Sequence, residues 1–160
     1  MRDEMKLLFV CTGNTCRSPM AEALARRVAI ERGLIDVDVA SAGTSAREGA
    51  AASDGALLVG LERHLDLSGH RSQQLSRALV ESSDLILAMS SHHLERAEAL
   101  GGSGKSYLIT AYPRSGHTGR SISDPMGGDL DTYRATAEEL EAEIRRVFDH
   151  FAAEQVPGAS

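Results

Sequence analysis

Apolar and polar positions alternate along the chain in short strand-like runs separated by helical patterns. Leu7-Leu8-Phe9-Val10 is an apolar run of the length of a buried strand. Behind it Met20, Ala23, Leu24, Arg27, Val28 and Ile30 recur at helical spacing, and Gly33 stops the pattern after about Arg32. Ser18-Pro19 is the start signal: a hydroxyl at the N-cap, and a proline at the first helical position, where its missing N–H costs nothing. Asp36 to Ala40 alternates as a second strand. Ser53 is predicted to cap a helix from Asp54 to Leu65, and Ser76 a short one from Arg77 to Glu81. Gly60 inside the first of these costs ~1 kcal/mol relative to alanine. Asp84 to Met89 reads as strand three, Ser91 to Leu100 as a helix ended by Gly101-Gly102, and Lys105 to Ile109 as strand four.

The last third changes character. Thr110 to Asp131 is long and irregular, and such loops are usually functional or mobile. From Leu130 to Phe151, Leu130, Tyr133, Ala137, Leu140, Ile144, Val147, Phe148 and Phe151 mark one face of a long amphipathic helix. Glu138, Glu139, Glu141, Arg145 and Arg146 form a solvated opposite face, and residues 152–160 are expected to fray. Strand, helix and strand in close succession make a βαβ unit with a right-handed crossover. Ser41-Ala42-Gly43-Thr44 then falls at the carboxyl end of strand two, where open parallel sheets gather ligand residues. A single α/β domain over 1–160 is expected.

Composition narrows the partners. The net charge of −6 argues against a nucleic-acid surface. No apolar run approaches the ~20 residues of a membrane span, and the first six residues hold no apolar signal core. A soluble, cytoplasmic protein with reduced thiols is expected, monomeric and without membrane contact. Both cysteines lie in one loop, which leaves no disulfide scaffold, and their spacing is not that of a zinc knuckle. No cofactor or metal is expected.

That loop carries the chemistry. Cys11-Thr12-Gly13-Asn14-Thr15-Cys16-Arg17 joins the first strand to the first helix. Gly13 and Asn14 are the residue types that most readily take positive φ, and a loop so bent points successive N–H groups inward as an anion nest. The following helix adds the positive end of its dipole, and Arg17 a planar fork that matches a pair of phosphate oxygens. A thiol at Cys11, in such a nest, is favoured as a nucleophilic thiolate. The Walker pattern of nucleotide-binding loops is absent. Ser18 has two candidate tasks, capping the helix and donating to the Cys11 sulfur. Asp124-Pro125 is by its own residues a turn, but beside a cysteine nest it can act as general acid and base.

The stretch from Val10 to Glu22 resembles the phosphate loop of the low-molecular-weight protein phosphatases, and Asp124-Pro125, the one such pair in the chain, resembles the pair carrying that family's general acid. The order of elements fits from Lys6 to about Phe151. The resemblance implies a three-layer fold: a four-stranded parallel sheet in the order 2-1-3-4 with helices on both faces. It implies that Cys11 is the nucleophile, that the backbone of Thr12 to Arg17 and the Arg17 side chain bind phosphate, and that Asp124 is the acid. It further implies that Asn14 and Ser18 lock the loop with Ser41 and His70. By spacing alone His70 is a surface turn residue, and His92, His93 and His117 receive no role.

Two departures bear on substrate. Members acting on phosphotyrosine usually carry an aliphatic residue where this chain has Thr15, and aromatic residues where it has Met126-Gly127-Gly128. In both it resembles the bacterial protein-arginine phosphatases, which implies a phosphorylated protein substrate bearing phosphoarginine. The alternative for Thr15 is simple packing as a β-branched isostere, with a tyrosine phosphatase as the result. Cys16 is either a space-filling residue or a thiol that resolves an oxidised Cys11. An arsenate reductase would need further cysteines, and a cysteine phosphocarrier would not need Asp124.

Overall fold

The computed structural model describes residues 4–159, with side chains as far as Phe151. Strand β1 (Met5–Cys11) lies at the centre of the sheet, with β2 (Val37–Gly43) on one side and β3 (Leu85–Ala88) on the other; β4 (Ser106–Leu108) pairs with β3. All pairings are parallel and the order is β2-β1-β3-β4, as the resemblance implied. The helices are α1 (Arg17–Glu31), α2 (Asp54–Glu62), α3 (Arg77–Ser82), α4 (Ser91–Ala97) and α5 (Leu130–Ala159).

Alternation along β1 builds the layers. Leu7, Phe9 and Cys11 share a core with Met20, Leu24 and Val28 of α1, Ala56 and Val59 of α2, and Leu140, Ile144 and Phe148 of α5. Leu8 and Val10 face the opposite side, against Val80 of α3 and Ala97 of α4. Fully burying a side chain such as Leu24 or Phe148 stabilises the fold by roughly 1.5–3 kcal/mol. The apolar face assigned to α5 is the buried one, from Tyr133 to Phe151, with Leu130 partly covered.

Several boundaries differ from expectation. Helix α1 starts at Arg17 with Cys16 at its N-cap, so Ser18 lies in the first turn and caps nothing. The phosphate loop itself curls into the helix two residues early. Ile30 is exposed, because it falls off the Met20–Leu24–Val28 stripe. Strand β2 continues through Ser41, Ala42 and Gly43, each paired with β1. Helix α2 ends at Glu62, where His64 takes a φ of 63°. After α4 the chain widens into a short π-type turn, Glu98–Gly102, broken at Gly101. Helix α5 runs on through Ala152-Ala153-Glu154-Gln155, all good helix formers, rather than fraying after Phe151; Ser160 lies outside the described residues. Arg146 is not a solvated charge: its guanidinium donates to the carbonyls of Ile109 and Tyr112, both at 2.6 Å. No helix among the described residues is long and apolar enough to cross a membrane.

Candidate active site

The carboxyl ends of β1 and β2 stand level, with Cys11 opposite Gly43. The loop leaving β1 folds back over that end: Thr44 N–H donates to Cys11 O and Ser45 N–H to Thr12 O, both at 2.9 Å. A Cβ on Gly43 would lie 2.4 Å from Thr12 O and 3.0 Å from Asn14 N, so only glycine lets the two backbones come this close. Asn14 takes the positive φ, 59°, and is fully buried.

Asn14 is the hub of the loop. Its Oδ1 accepts Gln73 N–H at 2.9 Å, which fixes the amide orientation. Its Nδ2 therefore donates, to Ser18 Oγ at 2.8 Å and to Ser41 Oγ at 2.9 Å. Ser41 Oγ in turn donates to Glu22 Oε1 at 2.6 Å. Ser18 Oγ, having accepted from Asn14, lies 2.9 Å from Cys11 Sγ, where its hydroxyl can donate to the sulfur. The chain of bonds thus brings a hydroxyl group against the sulfur. His70 Nε2 donates to Asn14 O at 2.7 Å from the neighbouring turn.

Arg17 is buried beside this loop. Its Nη1 donates to Ile122 O at 3.0 Å, and its Nη2 lies 3.5 Å from Thr12 Oγ1 and 3.6 Å from Asp124 Oδ2. Its Nε is a buried donor without a hydrogen-bond partner among the described residues. Ile122 N–H in turn donates to Met89 O at the end of β3, which hangs the Asp124 segment beside the site. Asp124 is half exposed; its Oδ1 accepts Met126 N–H at 3.1 Å, a turn of the kind its sequence suggests, while Oδ2 faces Arg17.

Between these groups lies a cavity of about 170 Å³. Cys11, Thr12, Gly13, Thr15, Cys16 and Arg17 form its base, and Asp124 and Met126 its rim. A wider cavity, about 500 Å³, lies behind the loop against Glu22, Ser41 and His70, away from the sulfur. The smaller one brings the Cys11 thiol, the Arg17 guanidinium and the Asp124 carboxylate together. A thiolate there can attack phosphorus, the nest and Arg17 can hold the oxyanions, and Asp124 can give and take a proton.

Residues 6–156 match the model of the low molecular weight phosphotyrosine protein phosphatases. The chain belongs to that family. It is 40% identical over 145 residues to a protein-arginine-phosphatase of Bacillus subtilis, a match covering 89% of this chain and 94% of that one. It is 39% identical over 137 residues to the low molecular weight protein-tyrosine-phosphatase PtpB of Staphylococcus haemolyticus, covering 85% and 92%. A solved structure of the YwlE arginine phosphatase, a cysteine-to-serine variant with its active-site serine phosphorylated, superposes with a TM-score of 0.85 at 38% identity, covering 92% of this chain and 96% of that one.

Every residue singled out from the phosphatase motif lies at this site. Cys11, Arg17, Asp124 and Thr15 line the cavity, and Asn14, Ser18, Ser41 and His70 brace its loop. Cys16 Sγ lies 3.2 Å from Ser53 Oγ and 3.4 Å from Tyr133 OH. Burial first, then the Cys16 sulfur, hold the Tyr133 phenol above its ordinary range. The Tyr133 ring covers Gly55, where a Cβ would come within 2.4 Å of it.

Sequence reasoning missed His93, Gln73, Glu22 and Gly43. His93 is fully buried, and its Nε2 lies 2.8 Å from Thr12 Oγ1. Burial, with the His92 ring and Arg17 nearby, pushes its pKa down to about 3, so it stands neutral against the loop. No local pattern marks these residues, because each acts on a partner distant in the chain. The one available signal for Gly43 is its place directly after Ser41-Ala42 at a strand end.

Proposed function

We propose that this chain is a cysteine-dependent protein phosphatase whose substrate is phosphoarginine in proteins. The Cys11 thiolate attacks phosphorus as the bond to the leaving group breaks, and the leaving nitrogen takes the proton of Asp124. Water then attacks the cysteinyl-phosphate, Asp124 takes its proton, and phosphate and thiolate are released. The nest and Arg17 hold the equatorial oxygens through both steps.

The observation that carries the reading is the chain of contacts from Asn14 through Ser18 to Cys11, set beside the buried Nε of Arg17, which has no hydrogen-bond partner among the described residues. The preference for phosphoarginine draws support from the cavity wall. None of its lining residues is aromatic, so a phenyl ring gains no stacking. Thr15 and Asp124 both border it and offer a hydroxyl and a carboxylate to a planar cationic group. The 40% identity to a protein-arginine-phosphatase supports the same preference.

The test is a side-by-side rate measurement on phosphoarginine and phosphotyrosine peptides. Phosphoarginine should be cleaved faster, and Thr15→Ile should shift the ratio toward phosphotyrosine. Faster cleavage of phosphotyrosine by the unaltered chain would reject the substrate assignment.

The enzyme works as a cytoplasmic monomer, in a compartment that keeps Cys11 reduced. Cys16, which lines the same cavity, is the resolving thiol. Peroxide converts the Cys11 thiolate to a sulfenic acid; Cys16 attacks that sulfur, a disulfide forms and water leaves. Cys16→Ser should then make peroxide inactivation irreversible by dithiothreitol, and full recovery would remove this role.

A further inference from the structure

We propose that His93 is a positioning residue for Arg17, acting through the hydroxyl of Thr12. His93 does not line the cavity; it lies in the first turn of α4. Both of its ring nitrogens are engaged: Nδ1 lies 3.0 Å from Ser90 Oγ and Nε2 2.8 Å from Thr12 Oγ1. A neutral imidazole has one donor and one acceptor, and these two contacts use them both. Thr12 Oγ1 is in turn 3.5 Å from Arg17 Nη2.

The need for such a support follows from how Arg17 is held. The firm anchor of its guanidinium is at one corner, Nη1 on Ile122 O. The opposite edge, Nε and Nη2, is the pair of donors that would grip two phosphate oxygens. Nε meets no partner among the described residues, so rotation about the Nη1 anchor is opposed on this edge by Thr12 and, more distantly, by the exposed Asp124 carboxylate. Thr12 resists that rotation only while its hydroxyl stays put, and His93 is what holds it. A space-filling role would suit an apolar side chain here, whereas a fully buried imidazole is retained at the cost of satisfying two polar atoms. Burial keeps the ring neutral, so it supports the loop without setting a second positive charge beside Arg17.

The inference rests on the reading of Arg17 as the phosphate-binding side chain. The test compares Thr12→Val, His93→Leu, their double variant and His93→Gln, whose amide can occupy the place of Nε2. Turnover of p-nitrophenyl phosphate, inhibition by inorganic phosphate and alkylation of Cys11 by iodoacetamide are measured on each. Each single loss should lower kcat/KM about tenfold, the worth of one hydrogen bond, and weaken phosphate inhibition in parallel. The double variant should fall no further, His93→Gln should stay within about threefold of the unaltered enzyme, and alkylation should hold its rate, because the Ser18 route to Cys11 is untouched. Losses that multiply in the double variant would overturn the proposal. So would a Gln variant as poor as the Leu variant, or alkylation that falls with turnover. Should His93→Leu fail to fold, Thr12→Val removes the same contact from a partly exposed position, and full activity there overturns the proposal. Arg17→Ala separates the two levels: activity retained in it refutes the reading of Arg17, while activity lost in it but intact in Thr12→Val refutes only the positioning role.

Discussion

Replacing Asn14 by alanine removes three side-chain hydrogen bonds, to Ser18, to Ser41 and from Gln73 N–H. At about 1 kcal/mol each they amount to roughly 3 kcal/mol. The φ of 59° adds about 1–2 kcal/mol for a side chain that cannot bond locally. The stranded Gln73 N–H, with only part of its lost bond replaceable by water, brings the expected loss to about 4–6 kcal/mol. At about 2–4 °C per kcal/mol for a chain of this size, the melting temperature should fall by about 10–20 °C. Asn14→Gly should be about 1 kcal/mol milder, since it removes the same bonds without the penalty on φ. Asn14→Asp separates stability from reactivity. It keeps an acceptor for Gln73 N–H but replaces the donor with a carboxylate oxygen, so the Ser18 hydroxyl turns toward residue 14 and away from Cys11. That variant should be more stable than Asn14→Ala in urea unfolding, yet its Cys11 should alkylate markedly more slowly than in the unaltered protein. A loss under about 1 kcal/mol for alanine, or alkylation of the aspartate variant at the unaltered rate, would refute the hub assignment.

Cys11→Ser should abolish steady-state hydrolysis while still binding vanadate, because a hydroxyl gives up its proton far less readily than a thiol and the cradle remains; turnover by this variant would remove Cys11 from its role. Asp124→Asn should slow hydrolysis by about 10²–10⁴-fold on poor leaving groups. The deficit should shrink on leaving groups that need no proton, and an equal deficit on both would exclude the acid assignment. The pKa of His93 is lowered to about 3 from an ordinary 6.5, so between those values the unfolded chain binds the extra proton. Its contribution to stability is therefore complete above about pH 6.5 and is lost as pH falls toward 3, at up to about 1.4 kcal/mol per pH unit. Urea unfolding at several pH values should show a shallower acid slope in His93→Gln; equal slopes would mean that the ring is already charged in the folded protein.

Local signals made much of this legible in the sequence. The run Leu7 to Val10, the Ser53 and Ser76 caps, and the buried stripe from Tyr133 to Phe151 all announce themselves within a few residues. The Cys11-to-Arg17 loop did so as well, because a nest, a helix start and a fork of donors follow one another directly in the chain. What stayed hidden depends on partners far apart. His93 looked idle because its acceptor or donor is Thr12, 81 positions away. Arg146 looked solvated because the carbonyls it caps belong to the irregular segment after β4. Ser18 was misplaced for another reason: a cap can be read only when the first helical residue is known, and here the loop's own curvature moves it to Arg17.

The segment between β4 and α5, expected to be functional or mobile, is tied to the rest of the fold at several points. Ile122 donates to the end of β3 and accepts from Arg17, Arg120 reaches Glu139 and Glu143 on α5, and Arg146 holds the carbonyls where the segment begins. The carboxylate at its tip therefore stands at the mouth before any substrate arrives. An enzyme built this way has its acid in place without closing a lid. Its turnover should be insensitive to solvent viscosity in the chemical steps, and whatever selectivity it has among proteins must be exercised at first contact. A phosphorylated side chain has to project far enough from its own backbone to reach the base of the cavity, so substrates should be chosen by the exposure and length of the modified residue more than by the sequence around it.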